Sequence, residues 1–299
     1  MGATVIAERI ARELSIGSQH ISSAVELLNA GDTIPFIARY RKEATGQLDE
    51  VQLERIAELN QYYVSTQQRR ESILETIRKQ DKLTPDLEKA IQQCWDKNEL
   101  EDLYLPFKKL RRTKATVARE KGLEPLADFI WQQEGGDQSI ETFVDQKKGV
   151  ESLTDALEGA RFILAERVSL DAKARSLARD RMRNECRLKA HSTKLSDGKK
   201  TKFSSYYEFN EALKKVQSHR LLAILRGVKE GLLRMEIVLD DDKVQQEITG
   251  LFLKEPASPY APHITEAVSD SYRRLIRPSI ENEVIAIARK KADEHAIKV

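Results

Sequence analysis

The chain has 299 residues, 33% of them charged and 40% hydrophobic, with a formal net charge of only +2. This length suffices for a sizeable core and about two domains, and the scarcity of Gly and Pro favours helices over strands. Cys94 and Cys186 lie far apart with no second Cys or nearby His at ligand spacing, which argues against a zinc site or disulfide framework and for reduced, buried thiols. No apolar run approaches a membrane span and no leader pattern opens the chain, so the expectation is a soluble, cytoplasmic protein with no membrane partner.

Ile6, Ile10 and Leu14 recur at helical spacing. Ser18 opens a second helix with Ile21, Val25 and Leu28 on one face, stopped at Gly31, so a short hairpin is expected. In DTIPFIARYRKEATGQLDE, Pro35 suits a first helical position, Phe36, Ile37 and Tyr40 are expected inward, and Thr45 and Gly46 end the segment. Asp49 with Gln52 forms a capping box for one long helix carrying Leu53, Ile56, Leu59, Tyr63, Ile73, Leu74 and Ile77. Its polar middle, Thr66 to Glu71, reads as a solvated bridge between two packed regions. Thr84, Pro85 and Asp86 start another helix, with Leu87, Ile91 and Trp95 on one face.

A loop is expected around Gly135 and Gly136. Ser152 with Asp155 opens a helix, and Ser169 is expected to cap a further one running to about Ala190. LLRMEIVLDDD alternates as a half-covered strand does. Its candidate partners lie near His191 to Leu195 or Lys202 to Phe209, giving at most a small sheet. Asp240, Asp241 and Asp242 read as a strand end and helix cap in preference to a metal site. After a proline-rich hinge, helical spacing resumes at Ile264, and Pro278 is expected to kink or divide that helix. The pattern reaches Val299 without a stop signal, so the chain is expected to continue in a longer protein.

The five histidines stand singly, and GxxxxGK[ST], GxGxxG, GxSxG and HExxH are all absent, which removes the specific reasons to propose an enzyme, a metal or a cofactor. Clustered charge remains. Lys108 to Lys121 holds seven bases and one acid, Glu120. Two readings stand level here: contact with phosphates, or pairing of Arg111 and Arg112 back to Glu99, Glu101 and Asp102. A second stretch, Arg167 to Lys189, holds eight bases against three acids. Its bases fan around a helix, and a solvated face is the favoured reading. For Arg39, Arg41 and Lys42 local ion pairs are favoured. Tyr62, Tyr63, Tyr206 and Tyr207 read as core and interface aromatics and not base-stacking platforms.

Two strings, DTIPFIARYRKEATGQLDE at Asp32 to Glu50 and LEDLYLPFKKLRRTKATVAREKGLEPLA at Leu100 to Ala127, resemble the N-terminal signature of the bacterial transcription accessory protein family Tex. The resemblance extends through SHRLLAILRGVKEG (Ser218 to Gly231) and RLIRPSIENEV (Arg274 to Val284). It implies similarity to the core of a eukaryotic transcription elongation factor. The implied order is a helical N-terminal region with a helix-turn-helix-like module, then an RNase-H-like YqgF domain, helix-hairpin-helix modules and an OB-fold RNA-binding domain. All but the first would lie outside this chain, and no catalytic residue carries over.

The resulting expectation is a mainly α, multi-helical scaffold with a helix-turn-helix-like part within about 49–127, a small β element near 232–239 and a long terminal helix. Expected divisions are 1–200, 201–262 and 263–299, the last a central helix cut before a YqgF domain. The expected function is the scaffold of a Tex-like factor that binds RNA, and DNA as a second candidate, in its full-length form. The alternative is a protein-interaction module for the transcription machinery without nucleic-acid contact. Candidate nucleic-acid-binding residues are Arg39, Arg41, Lys42, Lys108, Lys109, Arg111, Arg112, Lys114 and Arg119.

Overall fold

Capping residues written in the sequence set several helix starts in the computed structural model, which describes residues 2–108, 112–133 and 140–297. Asp49 accepts a hydrogen bond from the Gln52 amide at 2.8 Å and the Asp49 amide donates to the Gln52 side chain at 3.1 Å. Thr84 accepts from the Leu87 amide at 3.3 Å, and Ser152 and Asp155 form a second reciprocal box at 3.1 Å. Each satisfies amides that a helix start leaves without partners. The chain divides into two compact units, Met1–Phe107 and Lys108–Val299.

In the first unit, α1 (Gly2–Leu14) and α2 (Ser18–Asn29) form the expected hairpin, and α3 (Ile34–Tyr40) and α4 (Lys42–Thr45) make a tight corner. α1, α2 and α3 pack on one end of α5 (Glu50–Arg78), a single 29-residue helix, and α4 packs on α2 and α3. Ile10, Ile21, Ile37, Leu53 and Ile56 are fully buried there. α6 (Pro85–Gln93) and α7 (Lys97–Tyr104) build a separate cluster with the other end of α5, through Ile73, Ile77, Ile91 and Leu100. The polar middle of α5 bridges the two clusters but is less solvated than its composition implies. Thr66 is fully buried and donates to the Tyr62 carbonyl at 2.7 Å, and Arg69 holds Glu101 at 2.5 Å. Trp95 falls beyond the end of α6, because Asp96 caps α7 immediately after it.

The second unit runs through α8 (Lys114–Glu120), α9 (Glu124–Gln132), α10 (Leu153–Leu170) and α11 (Ala172–Glu185). Then come α12 (Ser218–Lys229), α13 (Asp241–Phe252), α14 (Ala261–Ser271) and α15 (Arg277–Ile297). Gly135 and Gly136 fall outside the described residues. Two expectations fail around α11. Asp171, not Ser169, caps it, accepting from the Ala174 amide at 2.9 Å, while Ser169 turns back to the Glu166 carbonyl. The helix stops at Glu185 and not near Ala190, because Cys186 takes an extended conformation and Leu188 and Ala190 then alternate inward as a strand.

That strand, β1 (Arg187–Ser192), is the centre of an antiparallel sheet with β2 (Glu208–Ala212) on one side and β3 (Leu233–Val238) on the other. Leu188 faces Ile237 across the β1–β3 pair and Arg187 faces Ala212 across the β1–β2 pair. The chain is therefore mainly α with one small sheet. Asp240 closes β3 and caps α13, accepting from the Lys243 amide at 3.1 Å. Between α14 and α15 the helix widens into a π turn over Tyr272–Ile276. Pro278 follows directly. It has no N–H and its ring would crowd the Arg274 carbonyl, and a wide turn accommodates both without breaking the helix.

Candidate nucleic-acid interface

The basic run of the second unit is largely consumed by its own neighbours. Thr113 caps α8 through a box with Thr116, and the Thr113 hydroxyl donates to Glu166 on α10 at 2.8 Å. The same carboxylate, with its side chain only 9% exposed, accepts from Arg119 at 2.5 Å, and Arg119 also reaches Glu124 at 2.6 Å. Burial works against the Arg119 charge, but the hydrogen bonds and negative charges of Glu166 and Glu124 together outweigh it and hold its pKa above the ordinary value. Arg112 pairs with Glu120 at 2.7 Å. Lys114 sits 4.5 Å above the Phe162 ring, and Lys121 donates to the Gly149 carbonyl at 2.7 Å. Lys108 is half-buried. Lys109 and Arg111 lie outside the described residues.

Close packing holds this run in place. At Gly159 of α10 an added Cβ would stand 2.3 Å from Leu123 Cδ1, so a larger residue there would have to displace the buried Leu123 side chain. Arg167, further along α10, pairs with Glu124 at 2.6 Å and with Asp128.

The second basic stretch corrects the reading of a solvated face. Arg179 is 1% exposed and forms a bidentate pair with Glu283 of α15 at 2.7 and 3.1 Å. Arg183 joins the same carboxylate at 3.3 Å, and buried Arg175 donates to Ser279 at 3.1 Å. Arg181 holds Glu247 of α13 in a second fork, both contacts at 2.7 Å. The bases fan around α11 because helices pack on several of its sides. Sequence periodicity missed this, since an arginine paired across helices looks like any other surface charge until its partner is placed.

The first unit presents the opposite case. Arg39 and Lys42 are exposed and make no side-chain hydrogen bond or ion pair among the described residues, so the expected local pairs do not form. Arg41 lies 5.6 Å over the ring of Phe36. Of the three side chains expected inward, only Ile37 is buried. Phe36 is 38% exposed and Tyr40 71%, their ring centroids 5.2 Å apart. A seven-residue helix beside α5 buries one narrow face, taken by Ile37 and Ala38, and the i, i+4 pair Phe36 and Tyr40 falls outside it. That spacing was the signal available in the sequence. Tyr63 is buried, and Tyr62, Tyr206 and Tyr207 are half-buried, as expected.

Burial pushes the Cys94 and Cys186 thiols up to about 11, which keeps both protonated at neutral pH. Among the described residues no group of His, Cys, Asp and Glu could hold a metal ion, and no helix is long and apolar enough to cross a membrane.

These features define a mainly helical module that binds several of its basic residues into the fold and, among the described residues, leaves an aromatic and basic corner open. Residues 132–299 match the Tex central region-like family and residues 4–78 the Tex-like protein N-terminal domain, and the chain belongs to the Tex family. It is 38% identical over 301 residues to YdcI of Bacillus subtilis, covering 99% of this chain and 42% of that protein. To the transcriptional accessory protein Tex of Neisseria gonorrhoeae it is 37% identical, over 97% of this chain and 39% of that protein. To the human S1 RNA-binding domain-containing protein 1 it is 27% identical, over 92% and 29%. The chain thus spans about two fifths of the length of its bacterial relatives.

Proposed function

We propose that this chain is the non-catalytic helical scaffold of a Tex-type transcription accessory protein whose longer form binds nucleic acid. Within it, Arg112, Lys114, Arg119 and Lys121 fasten helices and do not hold phosphates. One observation carries the proposal: nearly buried Glu166 takes both Thr113 and Arg119, tying the start and end of α8 to α10. A guanidinium committed to two carboxylates has little charge left to neutralise a phosphate. The wider role is supported by the names of relatives, one a transcriptional accessory protein and another containing an S1 RNA-binding domain.

The test is Arg119→Ala, followed by thermal unfolding and by filter binding to single-stranded RNA and duplex DNA across a salt series. The reading expects a lower Tm with affinity and salt slope unchanged. A salt slope flattened by about one, with Tm unmoved, would make the run a phosphate contact and overturn it.

A further inference from the structure

Among the described residues, exposed aromatic rings and cations without ion-pair partners coincide at the α3–α4 corner. Its parts are held in a fixed geometry. Ile37 and Ala38 anchor α3 in the core, and the fully buried Thr45 donates to the carbonyls of Arg41 and Lys42 at 3.2 and 3.4 Å. Gly46, at φ 68°, closes the corner against His20, where an added Cβ would meet the imidazole at 2.6 Å. On this frame stand Phe36 and Tyr40, ring beside ring, with Arg39, Arg41 and Lys42 next to them and Glu43 the single acid between residues 36 and 46.

Isolated surface aromatics need no explanation, but two adjacent rings flanked by three cations without carboxylate partners among the described residues match a specific chemistry. Bases have π faces that stack on aromatic rings whatever their sequence, and the phosphates between them require positive charge. We infer that the α3–α4 corner is a contact site for single-stranded nucleic acid, with Tyr40 and Phe36 stacking bases and Arg39, Arg41 and Lys42 taking the flanking phosphates. Duplex bases are already stacked on one another, so the rings favour single strands. The inference rests on the nucleic-acid reading of the longer protein but not on the fastening role of α8.

The test uses the 299-residue chain and fluorescence anisotropy with a labelled single-stranded RNA of about ten nucleotides, the same sequence as a duplex, and poly-glutamate as an acidic-peptide competitor. The wild-type chain is expected to bind the single strand more tightly than the duplex and to resist the competitor. Tyr40→Ala should weaken single-strand binding about tenfold with the salt slope unchanged, Tyr40→Trp should restore it, and Arg39→Glu/Lys42→Glu should lower the slope by about two. Circular dichroism melts check that each variant is folded.

If the wild-type chain binds RNA but the corner variants bind equally well, the corner falls and the nucleic-acid reading stands. Absence of any RNA binding by the wild-type chain overturns the corner, and leaves the α8 reading to its own stability test. Preferential displacement by poly-glutamate would make the corner a protein-docking surface and would equally overturn the inference.

Discussion

Arg39 and Arg119 occupy matching positions, each in the last turn of a seven-residue helix in a basic stretch of sequence, yet their surroundings are opposite. Arg119 is gripped by Glu124 and Glu166, whereas exposed Arg39 makes no side-chain hydrogen bond or ion pair among the described residues. The difference comes from acids contributed by distant segments, above all Glu166, and not from local charge count. By count the run from Lys108 is the more basic of the two. A dense basic cluster is therefore weak evidence for phosphate binding until its partners are known, and a sparser one without partners is stronger.

The contrast can be broken first at its most fastened arginine. Arg179→Ala leaves Glu283 largely shielded and without its fork, and should cost about 3–5 kcal/mol in urea unfolding, the usual range when one member of a buried pair is removed. A loss below about 1 kcal/mol would show that α11 does not need the pair. Arg119→Ala should cost less, about 1–2 kcal/mol, because its side chain is 37% exposed and solvent screens part of the interaction.

Tyr272 sharpens the same side of the comparison through pH. Its side chain is fully buried and its hydroxyl donates to Asp241 at 2.6 Å, and burial together with that carboxylate raises its pKa well above the usual tyrosine value. Because the folded pKa lies above the unfolded one, the stability it contributes is fully present below about pH 10 and is lost as pH rises beyond that. Tyr272→Phe should cost about 1 kcal/mol at neutral pH, and its alkaline unfolding curve should be shallower than that of the wild type. Parallel curves for the two proteins would refute the linkage. Smallest is Tyr40→Ala, which should change stability by no more than about 0.5 kcal/mol, since the ring is mostly exposed.

Much of the fold is written locally. The capping boxes at Asp49 and Ser152, the Thr84–Pro85 start, the alternation of β3 and the long α5 all rest on interactions within a few residues, and sequence spacing reveals those. Less legible were features decided by partners far along the chain. The end of α11 depends on β2 and β3 pairing with Arg187–Ser192, and the burial of Arg175 and Arg179 depends on α15, about a hundred residues later. The candidate interface was half visible. Arg39, Arg41 and Lys42 stood out as charges, but Phe36 and Tyr40 were expected in the core, because a short helix gives too few residues to fix which stripe faces inward.

The most direct test of the contrast is the salt dependence of single-stranded RNA affinity measured side by side for Arg39→Glu/Lys42→Glu and Arg112→Glu/Arg119→Glu. The account predicts a slope lowered by about two for the first pair and unchanged for the second, with only the second losing thermal stability. The reverse pattern, a flattened slope from the α8 pair and none from the α3–α4 pair, would contradict it.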